Sequence, residues 1–195
     1  MRKNLPLAIT IVSVVLVAVY YFKALDINDY SESLKGARER RLNGIKIDSI
    51  DVKVPKLNFF KISKKYKCDA TYESFDVPDT TVLQYDLEEI NQMFLVIGEI
   101  DFVSHLGDTC SLRVFRSLED SASIIVPFGD QTNGITSSVY GRMLALPNDI
   151  TAMTFVDFNL SYNPYTEYSA KYNCIAVPAV NQLPFLIEAG EKKYR

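Results

Sequence analysis

The chain has 195 residues, 48% hydrophobic and 12% aromatic, with 21 Lys and Arg against 24 Asp and Glu, a formal net charge of -3 and one histidine. With one N-terminal segment set aside, that length suits a single domain of roughly 150 to 170 residues around one core, and two domains are not expected. The acidic balance excludes nucleic acid as an expected partner, because that binding relies on clustered Lys and Arg neutralising phosphates, and a lone histidine excludes a histidine-rich zinc site.

Met1-Arg2-Lys3-Asn4 precedes an apolar run from Leu5 to Phe22, broken only by Pro6, Thr10 and Ser13 and closed by Lys23. About 18 residues at roughly 1.5 Å each just span a hydrocarbon core, and Arg2 and Lys3 supply a positive flank. Residues 1–25 are therefore expected to be a signal anchor. A cleaved signal peptide is the alternative, but bulky Tyr20, Tyr21 and Phe22 crowd the place of a small-residue cleavage site. Residues 26–44 are polar and charged, with Leu34, Ala37 and Leu42 roughly on one face, and read as a short helical stalk. The domain that follows is expected outside the cytoplasm, periplasmic or extracellular, since long domains translocate largely regardless of flanking charge.

Residues 45–195 read as β. Ile45, Ile47, Ile50, Val52 and Val54 open an extended segment that Pro55 stops, and Leu57, Phe59, Phe60 and Ile62 look like apolar cover for one end of the fold. From Tyr66 the alternation is clean, with Cys68, Ala70 and Tyr72 opposite Lys67, Asp69 and Thr71. A turn is expected at Asp76-Val77-Pro78-Asp79, then a strand over Thr80–Tyr85 and a helical turn over Asp86–Asn91. A long strand follows over Met93–Val103, with a bulge at Gly98. His105 falls in an expected turn and reads as exposed. Thr109–Arg116, Ser123–Phe128, Ser138–Leu146, Ala152–Leu160 and Phe185–Ala189 complete about nine strands, joined by turn formers such as Gly107-Asp108 and Asn133-Gly134. Such short connections favour antiparallel pairing. The expected fold is mainly β, an antiparallel barrel or sandwich of about nine strands, preceded by a membrane helix and a stalk.

Most of the chemistry lies between Phe155 and Lys192. Alternation puts Val156, Phe158 and Leu160 on one face and Asp157, Asn159 and Ser161 on the other, so a buried Asp157 needs a cation, a metal or several hydrogen bonds. Tyr140, Arg142 and Leu144 share a face of the preceding strand, and Asp130 stands at its entrance. An Arg142–Asp130 pair is natural, and Arg142 meeting Asp157 is the alternative. Asp130, Tyr140, Arg142, Asp157, Asn159 and Asn163 are the candidate ligand-binding residues. A guanidinium beside a phenol and an amide suits a small anionic or hydroxylated ligand, while a satisfied structural network is the competing reading. Glu191 and Lys192 read as a terminal ion pair. Cys68, Cys110 and Cys174 allow at most one internal disulfide.

These residues carry a resemblance. Asp157, Phe158, Asn159, Tyr162, Asn163, Pro164, Tyr168 and Cys174, then Asn181, Leu183, Ala189, Gly190, Glu191 and Lys192, resemble the ending of the bacterial domain of unknown function 1684. That ending reads approximately D-F-N-x-A-Y-N-P-x-C-A-Y, C-P-L-P-P, N-x-L, A-G-E-K. Phe128, Asp130 and Thr132, followed by Tyr140, Gly141 and Arg142, are similar to its F-x-D-x-T and T-Y-x-x-G-R-Y-L blocks. The likeness covers roughly Tyr66 to the C-terminus. Thr166 stands where the family places the first cysteine of its C-terminal pair, and Cys174-Ile175-Ala176-Val177-Pro178 stands for C-P-L-P-P, which weakens a disulfide or metal site built there. The resemblance implies a shared domain and polar cluster and supplies no reaction.

The expected function is that of a membrane-anchored envelope protein acting as a non-enzymatic ligand-binding or interaction module, with no cofactor and no metal. The alternatives are a hydrolase-like enzyme using Asp157 and Asp130 with Arg142, and a purely structural protein contacting an envelope partner.

Overall fold

The computed structural model describes residues 5–44, 57–83, 93–119, 124–144, 146, 149–169, 172 and 175–194, with the side chains of 5–11, 41–44 and 82 outside that description. The expected extended segment from Ile45 to Pro55, the helical turn over Asp86–Asn91 and Cys174 lie outside it. The chain divides into two compact units, Met1–Gly44 and Ile45–Arg195.

In the first unit one uninterrupted helix, α1 (Leu5–Gly44), runs for 40 residues. The expected anchor and stalk are thus a single element, because neither Pro6 in the first turn nor the polar residues after Lys23 interrupt the hydrogen-bond ladder. Among the described residues no helix is long and apolar enough to cross a membrane. The expected span over Leu5–Phe22 therefore gains no support from them. Its first seven side chains, at 5–11, lie outside the description.

The second unit is mainly β. Its strands are β1 (Lys67–Val82), β2 (Met93–Val103), β3 (Thr109–Ser117), β4 (Ile124–Ile125), β5 (Pro127–Phe128), β6 (Arg142–Met143) and β7 (Phe155–Asp157). Five form a curled antiparallel sheet in the order β4-β3-β2-β1-β7, and β5 pairs with β6 apart from it. The order has two ends, so the five-stranded sheet is a half-barrel, and with β5 and β6 the described residues hold seven strands, where a barrel or sandwich of about nine was expected.

The differences have local causes. The expected turn at Asp76–Asp79 is a register shift inside β1: Ser74 faces Gly98 and Asp79 faces Val96, so pairing with β2 resumes after an irregular stretch in which Pro78 needs no partner for a missing N–H. A second shift, between Val96 and Gly98 against β3, is the bulge expected at Gly98. The expected strand over Ser138–Leu146 shrinks to two residues because Gly141 has φ +80°. Likewise β7 stops at Asp157, whose carboxylate caps the 3-10 turn Phe158–Leu160. Phe185–Ala189 buries alternate residues, but it lies beside the irregular segment after β5 and forms no strand.

Period-two burial builds the core. Cys68, Ala70, Ile100, Phe102, Leu112 and Val114 face inward from β1, β2 and β3, and Val126, Phe128, Phe158 and Ile187 close over them. Phe158 is central, with its ring 5.4 Å from that of Phe102 and 5.2 Å from that of Phe128. A smaller cluster of Leu83, Phe94, Val96 and Phe115 sits apart.

Candidate functional site

The turn after β5 begins the site. Asp130 Oδ1 accepts from the Thr132 amide at 2.7 Å, the Asx pattern that suits aspartate at a turn. The Thr132 and Ser137 hydroxyls close the same turn at 2.7 Å. This orients the other carboxylate oxygen toward Arg142, which lies next to Gly141. A Cβ at Gly141 would stand 2.3 Å from Val177 and 2.8 Å from the Phe128 carbonyl, so a glycine lets the chain pass close to β5 there.

Arg142 is the largest fully buried side chain described. Its Nη2 donates to Asp130 Oδ2 at 2.6 Å and to the Ile187 carbonyl at 2.8 Å, and its Nη1 donates to the Ala189 carbonyl. The guanidinium carbon lies 5.1 Å from the Phe128 ring centre. Burial pulls its pKa below the ordinary value, opposed first by Asp130 and then by Glu191; the guanidinium keeps its charge, as arginine does in proteins. Asp130 Oδ1 also accepts from the Ile187 amide at 3.2 Å. Both side chains of the pair have zero exposure.

The C-terminal run docks against this pair. The Glu191 carboxylate, also fully buried, accepts from the Asn163 amide at 3.0 Å and from the Tyr168 hydroxyl. The Asn163 side chain donates to the Lys192 carbonyl at 2.8 Å. Gly190, at φ +72°, lies so close to Ser161 that a Cβ would stand 2.0 Å from its Oγ and 2.4 Å from its carbonyl. The expected Glu191–Lys192 ion pair does not form: the Glu191 carboxylate turns to Asn163 and Tyr168, and the Lys192 ammonium sits 5.0 Å from the Phe60 ring centre.

Asp157 and Asn159 belong to a separate set. Asp157 Oδ1 accepts from the Asn159 amide at 3.0 Å and from its Nδ2 at 2.9 Å. Asn159 in turn clamps the backbone of Ser63, accepting from its amide at 3.0 Å and donating to its carbonyl at 2.9 Å. Asn181 does the same to Arg113 on β3, at 2.8 and 3.0 Å, and donates to the Pro127 carbonyl at 2.7 Å. Each carboxamide thereby acts as one rung of a strand ladder, satisfying a donor and an acceptor at once.

Of the candidate residues, then, the structure brings together Asp130 and Arg142, with Asn163 tied to the same C-terminal run through Glu191. Asp157 and Asn159 form their own clamp, and the alternative Arg142–Asp157 pairing is replaced by Arg142–Asp130. Tyr140 is 38% exposed on the turn before Gly141. Glu191, Tyr168, Thr132 and Asn181 are central residues that periodicity missed, although all four are among the residues that carry the resemblance described above. His105 is half-buried, its ring 5.0 Å from that of Tyr66, and burial followed by Lys65 lowers its pKa. No group of three metal-ligating side chains occurs among the described residues.

Chemically, this arrangement pairs the Arg142 charge with that of Asp130 inside the fold. The carboxylates of Asp130 and Asp157 are held in different hydrogen-bond sets, and neither lines a surface cavity bounded by Asn58 and Lys192 or another bounded by Asp69 and Met153.

No curated protein matches the chain. Among solved structures, the solution structure of an uncharacterised protein from gene locus rrnAC0354 of Haloarcula marismortui is similar: TM-score 0.65 at 25% identity, covering 86% of this chain and 96% of that one. The family model for a protein of unknown function, DUF1684, matches residues 53–192. With that match over most of its length, the chain belongs to the DUF1684 family.

Proposed function

We propose that this chain is a membrane-anchored envelope protein whose β unit is a non-enzymatic interaction module, with the signature network as its internal strut. The observation that carries the non-enzymatic reading is the zero exposure of the Asp130 and Arg142 side chains, with the Asp130 carboxylate and both Arg142 Nη atoms hydrogen-bonded to groups of the fold itself. A guanidinium in that state has no face to offer a ligand, and a carboxylate in that state has no route to a substrate proton. Anchoring is supported by the apolar run from Leu5 to Phe22 behind Arg2 and Lys3. Within its described part, Val14, Leu16, Val17, Tyr20 and Phe22 are all more than half exposed. A helix apolar on every side needs an apolar surrounding.

The test is expression of the full chain in a bacterial host, followed by alkaline carbonate extraction and protease treatment of spheroplasts. The expected result is a chain that stays in the membrane pellet and is digested from outside. Release by carbonate would overturn the anchor, and digestion only after lysis would overturn the exported orientation.

A further inference from the structure

A cavity of about 330 Å³ opens where the last residues of the chain meet the segment before β1, lined by Asn58, Phe59, Ile135, Thr136, Lys192 and Lys193. In a chain of net charge -3, the described lining brings together two lysines, an asparagine and a threonine, with no acidic residue among them. Both lysines are held by their backbones. The Lys192 amide donates to the Asn58 carbonyl at 2.8 Å, its carbonyl accepts from Asn163 Nδ2 at 2.8 Å, and the Lys193 amide donates to the Thr136 carbonyl at 3.0 Å. The Lys193 ammonium reaches the Gly134 carbonyl at 3.3 Å, and that of Lys192 lies over Phe60. Neither makes an ion pair among the described residues.

Like charges facing one concavity raise its potential and its attraction for an anion. We propose that this cavity binds a phosphate ester, with the Lys192 and Lys193 ammonium groups and the Asn58 and Thr136 side chains donating to its oxygens and Phe59 and Ile135 packing its organic part. Two cations and two neutral donors suit an anion with several oxygens better than a single carboxylate, and the volume falls in the range of small-molecule sites, roughly 300 to 1,000 Å³. The buried Arg142 network lies behind this surface through Asn163, whose side chain holds the Lys192 carbonyl. The ester has two sources, a soluble metabolite or a lipid headgroup. The site rests on the reading of the β unit as a non-enzymatic interaction module.

The experiment uses the full chain in dodecyl maltoside micelles, titrated calorimetrically with phenyl phosphate and, separately, with dihexanoyl phosphatidylglycerol. Saturable one-to-one binding of at least one probe is expected, weakened at least tenfold by Lys192→Gln with Lys193→Gln; the tighter probe identifies the source. Because Lys193 is exposed, Lys193→Glu is the second variant, expected to abolish binding with an unchanged melting temperature. The site is overturned if neither probe saturates, or if the Lys193→Glu chain binds as the parent does. Release of phenol above the buffer rate would refute the non-enzymatic reading while leaving the site in place, so the two failures are distinguishable.

Discussion

Replacing Arg142 by methionine keeps much of the side-chain volume and removes the charge. It leaves Asp130 Oδ2 without its 2.6 Å donor and strands the buried Ile187 and Ala189 carbonyls. Removing one partner of a buried pair costs about 3 to 5 kcal/mol, because the remaining charge stays out of water. For a unit of this size each kcal/mol lowers the melting temperature by roughly 2 to 4 °C, so a fall of about 6 to 20 °C is expected. Near-ultraviolet circular dichroism, reported by the 12 tyrosines in a chain with no tryptophan, follows the transition in the full chain in micelles. Adding Asp130→Asn to Arg142→Met removes the stranded carboxylate, and the pair is expected to recover about 1 to 3 kcal/mol relative to the sum of the single changes. A melting temperature within about 2 °C of the parent for Arg142→Met would refute the strut and return Arg142 to the candidates for ligand work.

Two glycines with positive φ separate strain from space. Gly107→Ala, at φ +92° with nothing within 4 Å of the new Cβ, is expected to cost only the backbone term, about 1 to 2 kcal/mol. Gly190→Ala adds the collision with Ser161 and is expected to cost several kcal/mol, at least about 2 more than Gly107→Ala; equal urea midpoints would show that the 189–192 run can move aside. Burial, followed by Asp157, raises the Cys68 pKa from 9.0 to about 11. The unfolded thiol therefore loses its proton first, and stability falls as pH rises from about 9 to 11. Comparing the parent with Cys68→Ala by urea unfolding at pH 8 and 10.5 is expected to show an excess loss on the order of 2 kcal/mol in the parent at the higher pH. Parallel profiles would mean that the thiol reaches water in the folded state.

Period two made β1 and β2 legible, since Cys68, Ala70, Phe94, Val96, Ile100 and Phe102 are buried as the alternation requires. It failed where a side chain took over a backbone bond. Asp157 ends β7 by capping the next turn, and Asn181 replaces a strand partner for β3, effects that a one-dimensional pattern does not carry. The Arg142–Asp130 pair was legible because a turn aspartate preceded a strand arginine on a face that had to be neutralised. Tyr140 was misplaced for the converse reason: the alternation continued across Gly141 on paper, while φ +80° ended it in the chain.

The sequence alone determined the β character of the second unit, the inward faces of the long strands, the acidic net balance, and the identity of the polar residues that had to be satisfied. These follow from composition and local periodicity, which act over a few residues. Tertiary structure decided which partners satisfied them. Arg142 answers to carbonyls at 187 and 189, Asn159 to Ser63 and Asn181 to Arg113, and Lys192 and Lys193 share a cavity with Asn58 and Thr136. Such pairings join residues tens of positions apart, and only the closing of the half-barrel over one core brings them within hydrogen-bond reach.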